Sequence, residues 1–139
     1  MRVEESNQLD KSSKIVKGDT LASSDLNYLE SIKLLDIQNN ATTLEVGCGF
    51  GRSLKVLSEL SKTVVALDIS SAMIKAAKLN NASLKNIDFL VSEAENIDYN
   101  NNYFDYIVCF AVFDALDQLS ALNEINRLDV YHDIFHWVE

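Results

Sequence analysis

The stretch "LEVGCGFGRS", Leu44 to Ser53, decides how the rest of the chain is read. It holds three of the chain's four glycines, Gly47, Gly49 and Gly51, at every second position. An apolar run leads into it and a helix-like run leads out. A strand that turns through glycines into a helix gathers backbone N–H groups at the helix start, a geometry suited to an anion. Glycine carries no Cβ, so a ligand can approach the backbone closely. A tight βα turn would use the same residues, so the loop alone leaves two readings open.

Working outward, the loop falls inside a rhythm. Four apolar runs, "TTLEVG", "TVVALDI", "IDFLV" and "FDYIVCFAVF", recur roughly every 22 residues. Helical patterns fill the first two gaps: Leu54, Leu57 and Leu60, then Ala72, Met73, Ala76, Ala77 and Leu79, with Ser70 or Ser71 as cap. Strand, helix, strand at this period is the βα unit of a parallel sheet. "TVVALDI" and "YIVCFAVF" lack clean alternation, as strands buried on both faces do. The third gap, "SEAENIDYNNN", reads as a loop with a short helical turn. "LDQLSALNEINRL" reads as another helix, using Leu119, Leu122, Ile125 and Leu128. Before the loop, Leu26, Leu29, Ile32, Leu35 and Ile37 mark a helical face, capped by Ser23 or Ser24 and followed by a turn at "QNNA". The expected fold class is α/β, a Rossmann-like doubly wound parallel sheet. Residues 1–19 are polar and aperiodic and are expected to be a flexible arm; residues 20–139 are expected to form a single domain.

Composition narrows the function classes. The 139 residues are 47% apolar and 24% charged, as in globular proteins. No apolar run approaches the roughly 20 residues that span a membrane, and the N-terminus lacks the apolar core of a secretory signal. Cys48 and Cys109 have no framework spacing and are expected to be reduced thiols of a cytoplasmic protein. The net charge is −9, and residues 86–139 carry eleven acids against one base, Arg127. That balance argues against a nucleic-acid groove there, because phosphate affinity comes mainly from Lys and Arg. "HDIFH" spaces His132 and His136 by one helical turn, but no third ligand follows, so no metal site is expected.

Three features beyond the loop favour a ligand. Glu45 stands two residues before Gly47, Asp68 ends the next strand, and "SEAEN" follows the third strand. Each lies at the carboxyl end of a parallel strand, where open α/β sheets bind ligands. An acid at Asp68 can accept hydrogen bonds from both hydroxyls of a ribose, although a helix cap would also suit it. A dinucleotide site wants G-x-G-x-x-G, and here the sixth position is Arg52 while the third glycine falls early, at Gly51. That spacing weighs against NAD and a nicotinamide oxidoreductase.

Taken in order, these motifs resemble the class I S-adenosylmethionine-dependent methyltransferases. "LEVGCGFG" is similar to the family's first motif, "ALDIS" to its ribose-binding strand end, "SEAENI" to its adenine loop, and "YFDYIVCFAVFDAL" with "ALNEINRL" to its fourth strand and following helix. The resemblance spans about residues 26–128 and implies S-adenosyl-L-methionine as cofactor and S-adenosyl-L-homocysteine as product. It implies a strand order of 3-2-1-4. It assigns Gly47, Gly49 and Gly51, with Cys48 between them, to the methionine and ribose part, with Glu45 beneath. It assigns Asp68 to the ribose hydroxyls, Ile69 and Met73 to the adenine ring, and Glu93 with the Ala94 N–H to the adenine amino group. Phe110 would lie near the sulfonium. Core packing is the plainer reading of Met73 and Phe110, and a solvated loop acid that of Glu95.

The catalytic residues stay unknown. Asp114 and Asp117 follow the fourth strand on the ligand side, where either a general base or a helix cap would fit. The chain has no proline, so it lacks the Asn/Asp-Pro-Pro-Tyr-like motif of enzymes that methylate adenine or glutamine amino groups. The motifs look most like the small-molecule branch, such as enzymes acting on quinone precursors, with a small-molecule acceptor and neither nucleic acid nor membrane as partner. Family members continue after "EINRL" with a glycine-proline turn and three more strands. Eleven residues remain here, room for one further strand at most, so the acceptor half is expected to be missing and the chain to be truncated. The fourth strand would then lie at or near a sheet edge, covered by the tail or by a second subunit, as in a homodimer. A non-catalytic module that binds the cofactor or another protein is the competing expectation.

Overall fold

The computed structural model describes residues 14–17, 29–110, 118–130 and 134–138. The four apolar runs become β2 (Thr42–Val46), β3 (Thr63–Asp68), β4 (Ile87–Val91) and β5 (Tyr106–Phe110). Two more strands, β1 (Lys14–Lys17) and β6 (Ile134–Val138), complete one six-stranded sheet in the order β1-β6-β5-β2-β3-β4. Every pairing is parallel. The expected 3-2-1-4 order is therefore present as β4-β3-β2-β5.

Successive side chains of a strand point to opposite faces, and the core divides accordingly. Val64, Ala66 and Val108 join a cluster with Leu54, Leu57, Ile74 and Ala77 on one face. Leu44, Val46, Val65, Leu67, Ile107 and Cys109 join Ala121, Leu122, Ile125 and Leu128 on the other. Helices α1 (Leu54–Leu60) and α2 (Ser71–Asn80) thus cover the first face, and α3 (Gln118–Leu128) covers the second. Ile32, Leu35 and Ile37, from the helical residues 29–33 and the turn after them, also pack on the first face. Leu26 and the expected caps Ser23 and Ser24 lie outside the described residues.

Several expectations need correction. Part of the expected arm is sheet: "KIVK" forms β1 and pairs with β6, its Ile15 and Val16 being residues that favour strands. β5 is not at the edge, because β6 pairs with it from Ile107 to Phe110 and β1 lies beyond. The tail is thus the cover, and two strands rather than one extend the sheet. His136 lies in β6, so the "HDIFH" stretch is not a helical turn there; His132 is outside the described residues. In α3 the buried stripe is Ala121, Leu122, Ile125 and Leu128, while Leu119 is exposed because it falls well off that face. In α2 the buried positions are Ile74 and Ala77, and Met73 and Leu79 face outward.

Candidate functional site

The glycine loop is held in place by the neighbouring strand. The N–H groups of Gly47 and Cys48 both donate to the Leu67 carbonyl, at 2.8 and 2.9 Å, which ties the loop to the end of β3. Gly47, Gly49 and Gly51 all have positive φ, at 77°, 57° and 90°, the left-handed region that other residues enter at a cost. Two of them face different surroundings. A Cβ on Gly49 would meet nothing within 4 Å, so this backbone borders open space. A Cβ on Gly51 would come within 2.5 Å of Asn81 Nδ2 and 3.1 Å of Ala77, so Gly51 lets the end of α2 approach the loop.

Asp68, half-buried at the end of β3, is fixed by two backbone donors. The Gly49 N–H donates to its Oδ2 and the Ser70 N–H to its Oδ1, each at 2.9 Å. A carboxylate offers about four lone-pair sites, so acceptor capacity remains for two hydroxyls. The helix-cap alternative falls to Ser70, whose Oγ accepts the Met73 N–H at 3.2 Å at the start of α2. Around this carboxylate lie exposed apolar side chains. Ile69 follows it, Val91 pairs with it across the strands, and Met73 opens α2; they are 64%, 49% and 42% exposed.

Glu45 is buried on the α1 side of the sheet, and the Ser53 hydroxyl lies 2.6 Å from both its oxygens. Ser53 precedes α1 without capping it, so its hydroxyl serves the carboxylate. Beside it the Cys48 thiol is pushed up to about 12, chiefly by burial and then by the charges of Glu45 and Asp68. Burial also raises the Cys109 thiol.

Glu93 and Ala94 sit in a turn after β4. The Ser92 N–H donates to the Asp68 carbonyl at 3.0 Å, and the Asn96 N–H to the Glu93 carbonyl at 3.3 Å, which makes a single turn with no helix where a short helical turn was expected. Glu93 is exposed and Ala94 buried. The structure thus brings Gly49, Asp68, Ile69, Met73 and the Glu93 turn to the carboxyl ends of β2, β3 and β4. The backbone of Phe110 ends β5; its side chain, Asp114 and Asp117 lie outside the described residues. Among the described residues no group of three or more His, Cys, Asp or Glu could hold a metal, and no helix is long and apolar enough to cross a membrane.

Sequence reasoning missed the residues that support the loop. Asn81 Nδ2 donates to the Gly51 carbonyl at 3.2 Å and to the Ala77 carbonyl at 2.9 Å, and Asn80 Nδ2 donates to the Phe50 carbonyl at 3.0 Å. "NNA" after a helix signals a stop, but nothing in it points to a loop 30 residues away.

The chain is similar to known methyltransferases. Residues 44–128 match a family model described as "Methyltransferase domain". A demethylmenaquinone methyltransferase of Staphylococcus epidermidis is 34% identical over 98 residues, covering 68% of this chain and 41% of the relative. That of Staphylococcus aureus is 29% identical over 101 residues, covering 70% and 42%. The chain thus spans about two fifths of the length of these curated relatives. A SAM-dependent methyltransferase structure from Aquifex aeolicus superposes with a TM-score of 0.68 at 28% identity, covering 80% of this chain and 63% of that one. The Haemonchus contortus phosphoethanolamine N-methyltransferase 1, solved with phosphoethanolamine and S-adenosylhomocysteine, shares the fold. Its TM-score is 0.68 at 21% identity, over 78% of this chain and 23% of that one.

Proposed function

The chain belongs to the class I S-adenosylmethionine-dependent methyltransferases, and we propose that it binds S-adenosyl-L-methionine over the glycine loop and passes its methyl group to a small-molecule acceptor. The observation that carries this reading is Asp68: a carboxylate oriented by the Gly49 and Ser70 N–H groups, beside open space over Gly49. The ribose hydroxyls would donate to Asp68. Ile69 and Met73 would lie against the adenine ring, and Glu93 with the Ala94 N–H would meet its amino group. Glu45, held by Ser53, would sit beneath the methionine part with Gly47 and Cys48. When bound, the cofactor would supply a reactive sulfonium, its methyl carbon leaving sulfur for the acceptor, with S-adenosyl-L-homocysteine as the leaving group and the proton of a neutral acceptor released to solvent. The chain supplies alignment, which in enzymes lowers barriers by roughly 7–11 kcal/mol. The names of the staphylococcal relatives support a quinone precursor as the acceptor class. Two buried free thiols support a reducing, cytoplasmic setting.

Calorimetry with S-adenosylmethionine, S-adenosylhomocysteine and NAD tests the reading. Both adenosyl ligands are expected to bind and NAD is not. Asp68→Ala removes a charged acceptor and should weaken S-adenosylhomocysteine by about 1.5–3 kcal/mol, roughly tenfold or more. Unchanged affinity would overturn the ribose role. Binding without transfer to any quinone-like acceptor would favour the cofactor-binding module instead.

A further inference from the structure

The acidic half of the chain has one base, Arg127, and the structure gives it to a loop rather than to solvent. Its Nε donates to Glu124 Oε1 at 2.7 Å and its Nη2 to Glu124 Oε2 at 2.8 Å, a two-pronged pair on α3. The same guanidinium donates from Nη2 to the Ile97 carbonyl at 2.9 Å and from Nη1 to the Tyr99 carbonyl and Asn101 Oδ1, each at 2.8 Å. Glu124 Oε2 in turn accepts the Ile97 N–H at 2.6 Å. Both backbone groups of Ile97 are therefore taken by two side chains one helical turn apart.

Ile97 directly follows the turn that carries Glu93 and Ala94. That turn is closed by the Ser92 hydroxyl, which reaches the Glu93 and Asn96 carbonyls at 3.0 and 3.1 Å. Its entrance is tied to β3 through Ser92 and Asp68, and its exit is tied to α3 through Ile97. Ala94 and Ile97 are buried with Leu122 and Ile125 of that helix. An exposed ion pair alone is worth little, but this one supplies hydrogen-bond partners to loop backbone that has no strand ladder to use.

We propose that Glu124 and Arg127 are positioning residues for the adenine-reading turn, fixing where Glu93 and the Ala94 N–H stand relative to Asp68. The inference rests on the reading of that turn as the adenine contact. Displacing the turn should blur recognition of the adenine amino group more than it weakens the rest of the cofactor.

The test compares the affinity of the full chain for S-adenosylhomocysteine with that for S-inosylhomocysteine, which carries a carbonyl oxygen in place of the amino group. Wild type is expected to prefer the adenosyl ligand, and Arg127→Lys and Glu124→Gln are each expected to shrink that preference by roughly threefold to thirtyfold. A structural role alone would weaken both ligands equally, and a preserved ratio overturns the proposal while leaving the cofactor reading intact. Wild type that binds S-adenosylhomocysteine without preference overturns the adenine reading and this inference with it. Amide exchange of wild type gives a check that needs no variant to fold. The Ile97 N–H should exchange as slowly as the β3 amides, and exchange at the rate of an exposed loop amide overturns the clamp.

Discussion

The Cys48 thiol sits between two glycines of the loop after β2, yet its side chain belongs to the core beneath the sheet end. Little water reaches it, and the charges of Glu45 and Asp68 further disfavour a thiolate. A pKa pushed up to about 12, against about 8.5 for a free thiol, lowers the thiolate fraction at pH 8 roughly a thousandfold. The thiolate is the nucleophile, so reactivity should fall with it. Iodoacetamide at pH 8 is therefore expected to leave Cys48 and the buried Cys109 unlabelled in the folded chain and to label both in denaturant, as read by mass spectrometry. Labelling of folded Cys48 at the rate of a free thiol would mean that the loop opens to water. The same neighbours explain Ser53. A hydroxyl placed to cap α1 instead holds Glu45, because burying a carboxylate is costly unless donors meet it.

At the scale of elements, the loop and α2 form one unit, and its glycines separate folding from binding. Gly49→Ala and Gly51→Ala both force a left-handed residue, a cost on the order of 1–3 kcal/mol. Only Gly51 adds a collision, with Asn81 Nδ2, the atom that bonds the loop's own carbonyl. Denaturant unfolding should therefore show Gly51→Ala as the less stable variant. Gly49→Ala should lose more S-adenosylhomocysteine affinity per unit of stability lost, because its methyl group enters the open space. The reverse ranking would place the ligand elsewhere. β3 and β5 were legible because burial on both faces writes unbroken apolar runs, and Asp68 because its spacing from the glycines is fixed by one βα unit. The supports were not legible. Asn81 to Gly51 and Arg127 to Ile97 each join positions 30 residues apart through side-chain-to-backbone bonds, which leave no periodic trace. The phase of α2 was misread because its apolar residues, alanines included, spread round more than half the helix, so Ile74 gave little contrast against Met73 and Leu79.

At the scale of the whole molecule, the sheet has two halves with different duties. β2, β3 and β4 carry the glycine loop, Asp68 and the Glu93 turn, whereas β6 and β1 extend the sheet beyond β5. β1 escaped the sequence reading because four residues with polar neighbours look like loop until a partner some 120 positions away supplies the ladder. If the halves are separable, a chain ending at Val130 should keep the site and lose stability. It lacks β6, so β5 loses four register pairs and β1 loses the strand it pairs with. At about 1 kcal/mol net per ladder hydrogen bond, losing the four-pair ladders on both sides of β6 costs roughly 8 kcal/mol, to be read by denaturant unfolding. The bared β5 edge, with Ile107, Val108 and Cys109 fully buried in the intact chain, should also promote association visible by sedimentation. At temperatures where the shortened chain remains folded, S-adenosylhomocysteine affinity is expected to stay within about fivefold, a change of about 1 kcal/mol. A collapse of affinity under those conditions would tie the far strands to the site. The route would run through Phe110, whose backbone ends β5 and pairs with Trp137 of β6.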